Sequence, residues 1–130
     1  MTGATHWPVS GEVADLLRAV VTGAGEKLAL DTTILFTDGL VDTFSALVVT
    51  SGRTDRQTRA IAEEIERQAQ LVGWRPLREE GWTESTWIAF DYGDVIVHIF
   101  DDGHREYYDL EHLWAAAPRF DAPQPNAAPQ

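Results

Sequence analysis

Apolar residues recur at steps of three and four at Val13, Leu16, Leu17, Val20, Ala24 and Leu28, a spacing that predicts an amphipathic helix. Ser10 stands where an N-cap hydroxyl would satisfy a free amide of the first turn. Gly23 and Gly25 each cost about 1 kcal/mol against Ala in a helix interior, so the helix is expected to fray or bend there. Thr32, Thr33, Ile34, Leu35 and Phe36 favour a strand over Asp31 to Thr37, and Asp38-Gly39 marks a turn. Phe44, Ala46, Leu47, Val48 and Val49 predict a second strand over Thr43 to Thr50, nearly continuous in its apolar run and therefore buried on both faces. A second helical stripe follows at Ile61, Ala62, Ile65, Ala69 and Val72, with Thr54 as N-cap, Asp55 at the positive helix end, and Gly73 and Pro76 as the stop. A strand–helix–strand crossover from the second strand would then find its parallel partner near Pro76 to Glu79.

The densest pattern is Thr86 to Phe100, which reads as two strands joined by a tight acidic turn at Tyr92-Gly93. Strand alternation sets Ile96, His98 and Phe100 on one face and Val95, Val97 and Ile99 on the other. In the preceding strand, Trp87, Ala89 and Asp91 oppose Ile88 and Phe90. Arg105 to Trp114 reads as short helical turns anchored by Tyr107, Tyr108, Leu110, Leu113 and Trp114, with Asp109 as a cap. Beyond it, Ala, Pro and Gln dominate. The pattern predicts a flexible arm over 1–9, one domain over 10–116 and a disordered Pro/Ala-rich tail over 117–130. The fold class is α/β, a single domain with a mixed sheet of about five strands and helices mainly on one face.

Composition narrows the function. Ten Lys and Arg face twenty-one Asp and Glu, a net charge of −11, and such a surface repels phosphate, so direct nucleic-acid binding is not expected. A basic protein partner or a metal suits that charge better. There are no cysteines, which removes disulfides, thiolate metal sites and a cysteine nucleophile. No apolar run approaches the roughly 20 residues of a membrane span, and no signal-peptide pattern opens the chain, so a cytoplasmic protein with no membrane partner is expected.

Several chemistries compete for the polar residues. Ser51-Gly52 after a buried strand lacks the G-x-S-x-G elbow, and loop residues before a capped helix explain it better than a nucleophile. The amides opening the Thr54 helix, with Arg53 and Arg56, could cradle an anion, although the Gly-rich loop and Lys of a phosphate site are missing. Asp91, Asp94, His98, Asp101, Asp102 and His104 are candidate metal ligands, but none has a tight ligand spacing to His98, so no metal and no cofactor are expected. Asp91 and Asp94 could be an acid–base pair, yet both flank a turn, where Asp is common. Protein binding uses more of the pattern: Trp87 facing outward, rimmed by Asp91 and Asp94, suits a basic partner. Equally, Trp87 could pack beneath the C-terminal turns against Tyr108 or Trp114.

Three ordered segments resemble the ribosomal silencing factor family, also called the Iojap family. They are Ser51 to Ile65, the stretch Trp87-Ile88-Ala89-Phe90-Asp91-Tyr92-Gly93-Asp94-Val95-Ile96-Val97-His98-Ile99-Phe100, and Arg105 to Trp114. With Pro76 to Gly81 the resemblance spans about Gly11 to Trp114. One region departs: Leu40-Val41-Asp42-Thr43-Phe44 keeps Asp42 and Phe44 of the family pattern but not its serines. The resemblance implies a nucleotidyltransferase-like fold without catalysis. Gly52 is followed by Arg53 rather than Ser, and Asp91 and Asp94 are three apart, so they cannot share one strand face as a metal pair. It further implies a non-enzymatic factor that binds the large ribosomal subunit through the ribosomal protein numbered fourteen. Such a factor blocks joining of the small subunit and represses translation under nutrient limitation. The implied contact residues are Trp87, Asp91, Tyr92 and Asp94, with His98 beside them, and the implied assembly is a homodimer in isolation. The alternative is a nucleotide-binding or nucleotidyl-transferring enzyme using the loop before the Thr54 helix.

Overall fold

The computed structural model describes residues 7–124. Helix α1 (Gly11–Glu26) leads to strand β1 (Leu30–Phe36), then β2 (Ala46–Gly52) and helix α2 (Asp55–Leu71). Three strands follow, β3 (Arg78–Glu80), β4 (Trp87–Asp91) and β5 (Val95–Asp101). Two short helices, α3 (Asp102–Tyr108) and α4 (Leu110–Leu113), precede β6 (Arg119–Asp121). The strands form one mixed six-stranded sheet in the order β3-β4-β5-β2-β1-β6. The expected α/β class is therefore found, with one strand more than expected.

The long helices lie side by side on one face. Leu16, Leu17, Val20 and Ala24 of α1 and Ile61, Ala62, Ile65 and Ala69 of α2 are buried against Ile34, Val48, Ile88, Phe90, Val97 and Ile99 of the sheet. Thr54 caps α2 as its sequence position implies, its Oγ1 accepting from the Gln57 amide at 3.1 Å. Ser10 occupies the N-cap of α1 but its side chain makes no capping bond. Helix α1 runs unbroken through Gly23, contrary to the expected fraying. The reason is packing: a Cβ at Gly23 would sit 2.8 Å from the Ile65 Cα, so the missing side chain lets the two helices meet. Leu28 and Val72, expected on the apolar stripes, fall beyond the helix ends and are exposed.

Strand β2 is buried at every position, as its continuous apolar run requires. Its parallel partner is β5, not the segment near Pro76 to Glu79. That segment forms β3, three exposed charged residues pairing antiparallel with β4 at the sheet edge. The central slot goes to the longer apolar strand, and the charged one takes the edge, where charge deters further pairing.

The C-terminal expectation also changes. Arg119–Asp121 pairs antiparallel with β1, and Gln124 ties onward by accepting from the Asp31 amide at 3.0 Å and donating to the Ala29 carbonyl at 2.8 Å. Order thus continues to Gln124, inside the stretch expected to be a disordered tail, because Phe120 closes over the core edge against Trp7 with ring centroids 5.5 Å apart. Trp7 and Val9 of the expected arm pack on the same core. The remainder of the arm, 1–6, and of the tail, 125–130, lies outside the described residues. Among the described residues, no helix is long and apolar enough to cross a membrane.

Substituting Gly23→Val forces the α1–α2 contact apart. The expected outcome is a loss of about 1–3 kcal/mol, read as a lower urea midpoint at unchanged slope.

Candidate functional site

The sheet face opposite α1 and α2 is only partly covered. Leu35, Leu47, Val49 and Phe100 form a second apolar cluster there, closed by Phe44, Ile96, Leu110 and Trp114. Register sets Trp87 opposite Phe100, Ala89 opposite His98 and Asp91 opposite Ile96 on this face. At the edge, Arg78 stands opposite Asp91 and Glu80 opposite Ala89. The uncovered part of the face is thus a half-buried strip of Trp87, Ala89, Ile96 and His98 beside charged side chains of the edge strand.

Trp87 satisfies both readings of its position. It faces away from the buried Ile88 and Phe90, and its ring lies under Tyr108 of α3, with centroids 4.4 Å apart, and 4.9 Å from Phe100. Trp114 packs against Phe44 instead, at 5.7 Å. The Trp87 indole Nε1 donates to His98 Nδ1 at 2.9 Å. Because an indole nitrogen can only donate, Nδ1 must be unprotonated and Nε2 carries the proton of the neutral ring. Burial pushes the His98 pKa down to about 4, which keeps the imidazole in that acceptor state at neutral pH. His98 therefore serves as a hydrogen-bonded positioning residue for Trp87.

Three other expected site residues separate. Asp94 is exposed on the turn, while its backbone carbonyl accepts from the amides of Ser45 and Ala46 at 2.7 and 3.2 Å. Asp91 is half-buried, and its Oδ1 accepts from the Gly93 amide at 2.8 Å, bracing a turn that needs φ +89° at Gly93. Tyr92 is a correction. It is 3% exposed and its ring packs edge-on against Trp74 and Phe90, so its side chain belongs to the core and not to the sheet face. Alternation carried through the turn places Tyr92 with Ile88 and Phe90 and would have found this. Ala89 and Ile96 were not among the expected site residues, although the same rule puts both on the His98 face.

The neighbouring helices are held by a charge that patterning could not reveal. Arg105 is 8% exposed, and its Nε and Nη2 both reach the Glu111 carboxylate, at 3.2 and 3.0 Å. Its Nη1 donates to the Leu30 carbonyl at 3.1 Å and to Ser51 Oγ at 3.2 Å. Ser51 is thereby a buried structural hydroxyl. Tyr107 and Leu113, expected as anchors, are 80% and 71% exposed. Asp109 joins α3 to α4 in the left-handed region and makes no side-chain cap, whereas Asp101 caps α3 through the His104 amide at 2.9 Å.

Two other candidate chemistries, the anion cradle and the metal site, draw on different residues. At the start of α2, the Arg53 amide is taken by Gln57 Oε1 at 2.7 Å and the Thr58 amide by the Thr54 carbonyl at 2.9 Å. The Gln57 amide is likewise taken, by Thr54 Oγ1 at 3.1 Å. Among the described residues, no three His, Cys, Asp or Glu side chains converge as a metal site.

Comparison with known proteins agrees with this layout. Residues 10–130 match the family described as "Ribosomal silencing factor during starvation". The ribosomal silencing factor RsfS of Bacillus subtilis is 36% identical over 106 residues, covering 82% of this chain and 90% of that relative. A crystal structure from Chromobacterium violaceum superposes with a TM-score of 0.78 at 26% identity, covering 90% of this chain and 98% of the other. One from Bacillus halodurans gives 0.73 at 32% identity, covering 84% and 99%.

The His98 environment makes a pH prediction. Its folded pKa lies below the unfolded value of about 6.5, so protons favour the unfolded chain between the two. Stability is expected to fall as pH drops from about 6.5 towards 4, by an amount on the order of 3 kcal/mol from this group alone. Trp87→Phe removes the donor to Nδ1 and should raise the imidazole pKa, read by NMR titration of the ring protons.

Proposed function

This chain belongs to the ribosomal silencing factor family, and from that premise we propose that it binds the large ribosomal subunit and blocks joining of the small one. The contact is made through the ribosomal protein numbered fourteen, and the effect is repression of translation under nutrient limitation, in the cytoplasm. The observation that carries the reading is the half-covered sheet face. A tryptophan is held in one orientation by His98 Nδ1 and lies tilted under Tyr108, beside small and apolar neighbours at Ala89 and Ile96. Rigid, half-buried aromatics with a polar surround are what interface hot spots require.

Charge supports the same reading. A chain of net charge −11 is steered toward a basic protein surface and away from bare phosphate. Asp94, exposed on the β4–β5 turn, and the half-buried Asp91 supply the acidic rim. The activity is steric and needs no catalytic group, cofactor or metal. Self-association of two copies through this face would compete with the ribosome. Against the nucleotide-transfer alternative stands the start of α2, where the Arg53 and Gln57 amides are already bonded within the chain.

Co-sedimentation tests it. The protein should pellet with purified large subunits and lower the yield of joined ribosomes in a gradient. Trp87→Ala should weaken binding by about tenfold or more, and Asp94→Arg should weaken it while leaving the circular dichroism spectrum intact. A protein that stays in the supernatant at low salt, or variants that bind as the parent does, would sink the reading.

A further inference from the structure

His98 has two ring nitrogens, and the chain uses one of them. The Trp87 indole donates to Nδ1 at 2.9 Å, which fixes the orientation of the imidazole and leaves its proton on Nε2. That bond is the one His98 side-chain hydrogen bond among the described residues, so the Nε2–H has no acceptor there. Among the same residues, the side-chain polar atoms both sealed from solvent and unpartnered are Trp7 Nε1 and Tyr92 Oη. His98 Nε2 is not one of them, so the N–H of this half-buried residue reaches the surface.

The surroundings of that donor are apolar or small. On its own strand His98 stands between the half-buried Ile96 and the buried Phe100, whose ring lies nearly parallel to the imidazole, at 19° with centroids 6.1 Å apart. Register sets Val49 of β2 on one side of it and Ala89 of β4 on the other. Ala89 carries no atom beyond Cβ, so the β4 side of the ring stays open. Beyond Ala89 the edge strand sets Glu80 opposite it, exposed and not bonded to the imidazole. A single N–H donor, aimed outward, is thus set in an apolar notch.

On the premise of the ribosome binding proposed above, we infer that His98 Nε2–H donates a hydrogen bond to a main-chain carbonyl of the partner protein, seated in the notch beside Ala89. The acceptor is uncharged, because an anionic one would meet Asp91 and Glu80 on the same face of a chain of net charge −11. The notch is shallow enough for main chain and offers a side chain no deep pocket. A surface that covers the notch without an acceptor leaves the N–H desolvated and unpaired, so the donor selects for the right register of the partner. One ring then does two things: Nδ1 holds Trp87 still, and Nε2 meets the partner.

Co-sedimentation with purified large subunits separates the two nitrogens. His98→Asn keeps an acceptor near the place of Nδ1 and has no atom at the place of Nε2. It should bind about tenfold more weakly than the parent while the Trp87 indole N–H resonance of the free protein stays in place. His98→Gln, which keeps a donor near Nε2 and loses the acceptor at Nδ1, should displace that resonance yet bind more tightly than His98→Asn. The ratio of parent to His98→Asn should not change between low and high salt, and it should survive replacement by Ala of the partner's Asn, Gln, Ser and Thr side chains at the contact. In the free parent chain, the imidazole nitrogen shifts should show a protonated Nε2 and a bare Nδ1, a readout that needs no variant. Equal binding by His98→Asn, tighter binding by His98→Asn than by His98→Gln, or a proton on Nδ1 would each overturn the inferred bond. So would a ratio that collapses with salt, the mark of a phosphate or carboxylate acceptor, or one that vanishes with a single partner side chain. A parent chain that does not pellet removes ribosome binding itself, and this contact with it.

Discussion

The parallel pairing of β2 with β5 is the constraint on which the rest of the molecule depends. Seven register pairs, from Ala46 with Val95 to Gly52 with Asp101, fix the centre of the sheet. Because side chains alternate along a strand, one register decides two surfaces at once. Val95, Val97 and Ile99 go beneath α1 and α2, and Ile96, His98 and Phe100 go to the other face. A slip of one residue would bury His98 among the helices and expose the valines. The register is specified by β5, whose positions alternate between buried and half-buried from Val95 to Ile99.

From that centre the proposed partner face follows by short steps. β4 pairs with β5 and sets Ala89 beside His98, and the indole of Trp87 at the strand start reaches back to His98 Nδ1. The helices α3 and α4 close over part of the same face, and the Arg105–Glu111 pair, buried on its arginine side, keeps them there. Breaking one partner of such a pair strands a buried charge, so this clasp makes the cover on Trp87 a fixed part of the surface. The face is stiff where a partner would touch it, which reduces the ordering entropy that binding must overcome.

The sequence made much of this legible, through local rules. Alternation sorted Ile96, His98 and Phe100 from their neighbours, the Thr54 hydroxyl marked the start of α2, and the unbroken apolar run of β2 declared its two-sided burial. Non-local partners were not legible. Nothing in Arg78-Glu79-Glu80 says that it pairs with β4 at an edge, and nothing in Val95 to Phe100 says that its parallel neighbour is β2. β6 was hidden because Phe120 is one apolar residue in a Pro- and Ala-rich stretch, and its strand exists only because β1 offers an open edge. Tyr92 was misplaced for a different reason. Its motif drew attention to chemistry, while the simple parity with Ile88 and Phe90 already put its ring in the core. The fold left clear traces; the site left them only where parity was followed to the end.

On the proposed function the sheet face, and not the helix face, meets the ribosome. A photo-crosslinking amino acid placed at Ile96 tests this directly when the protein is mixed with large ribosomal subunits and irradiated. A covalent adduct to one ribosomal protein is expected from Ile96 and none from the same probe at Glu63 on α2. An adduct from Glu63 with none from Ile96 would contradict it.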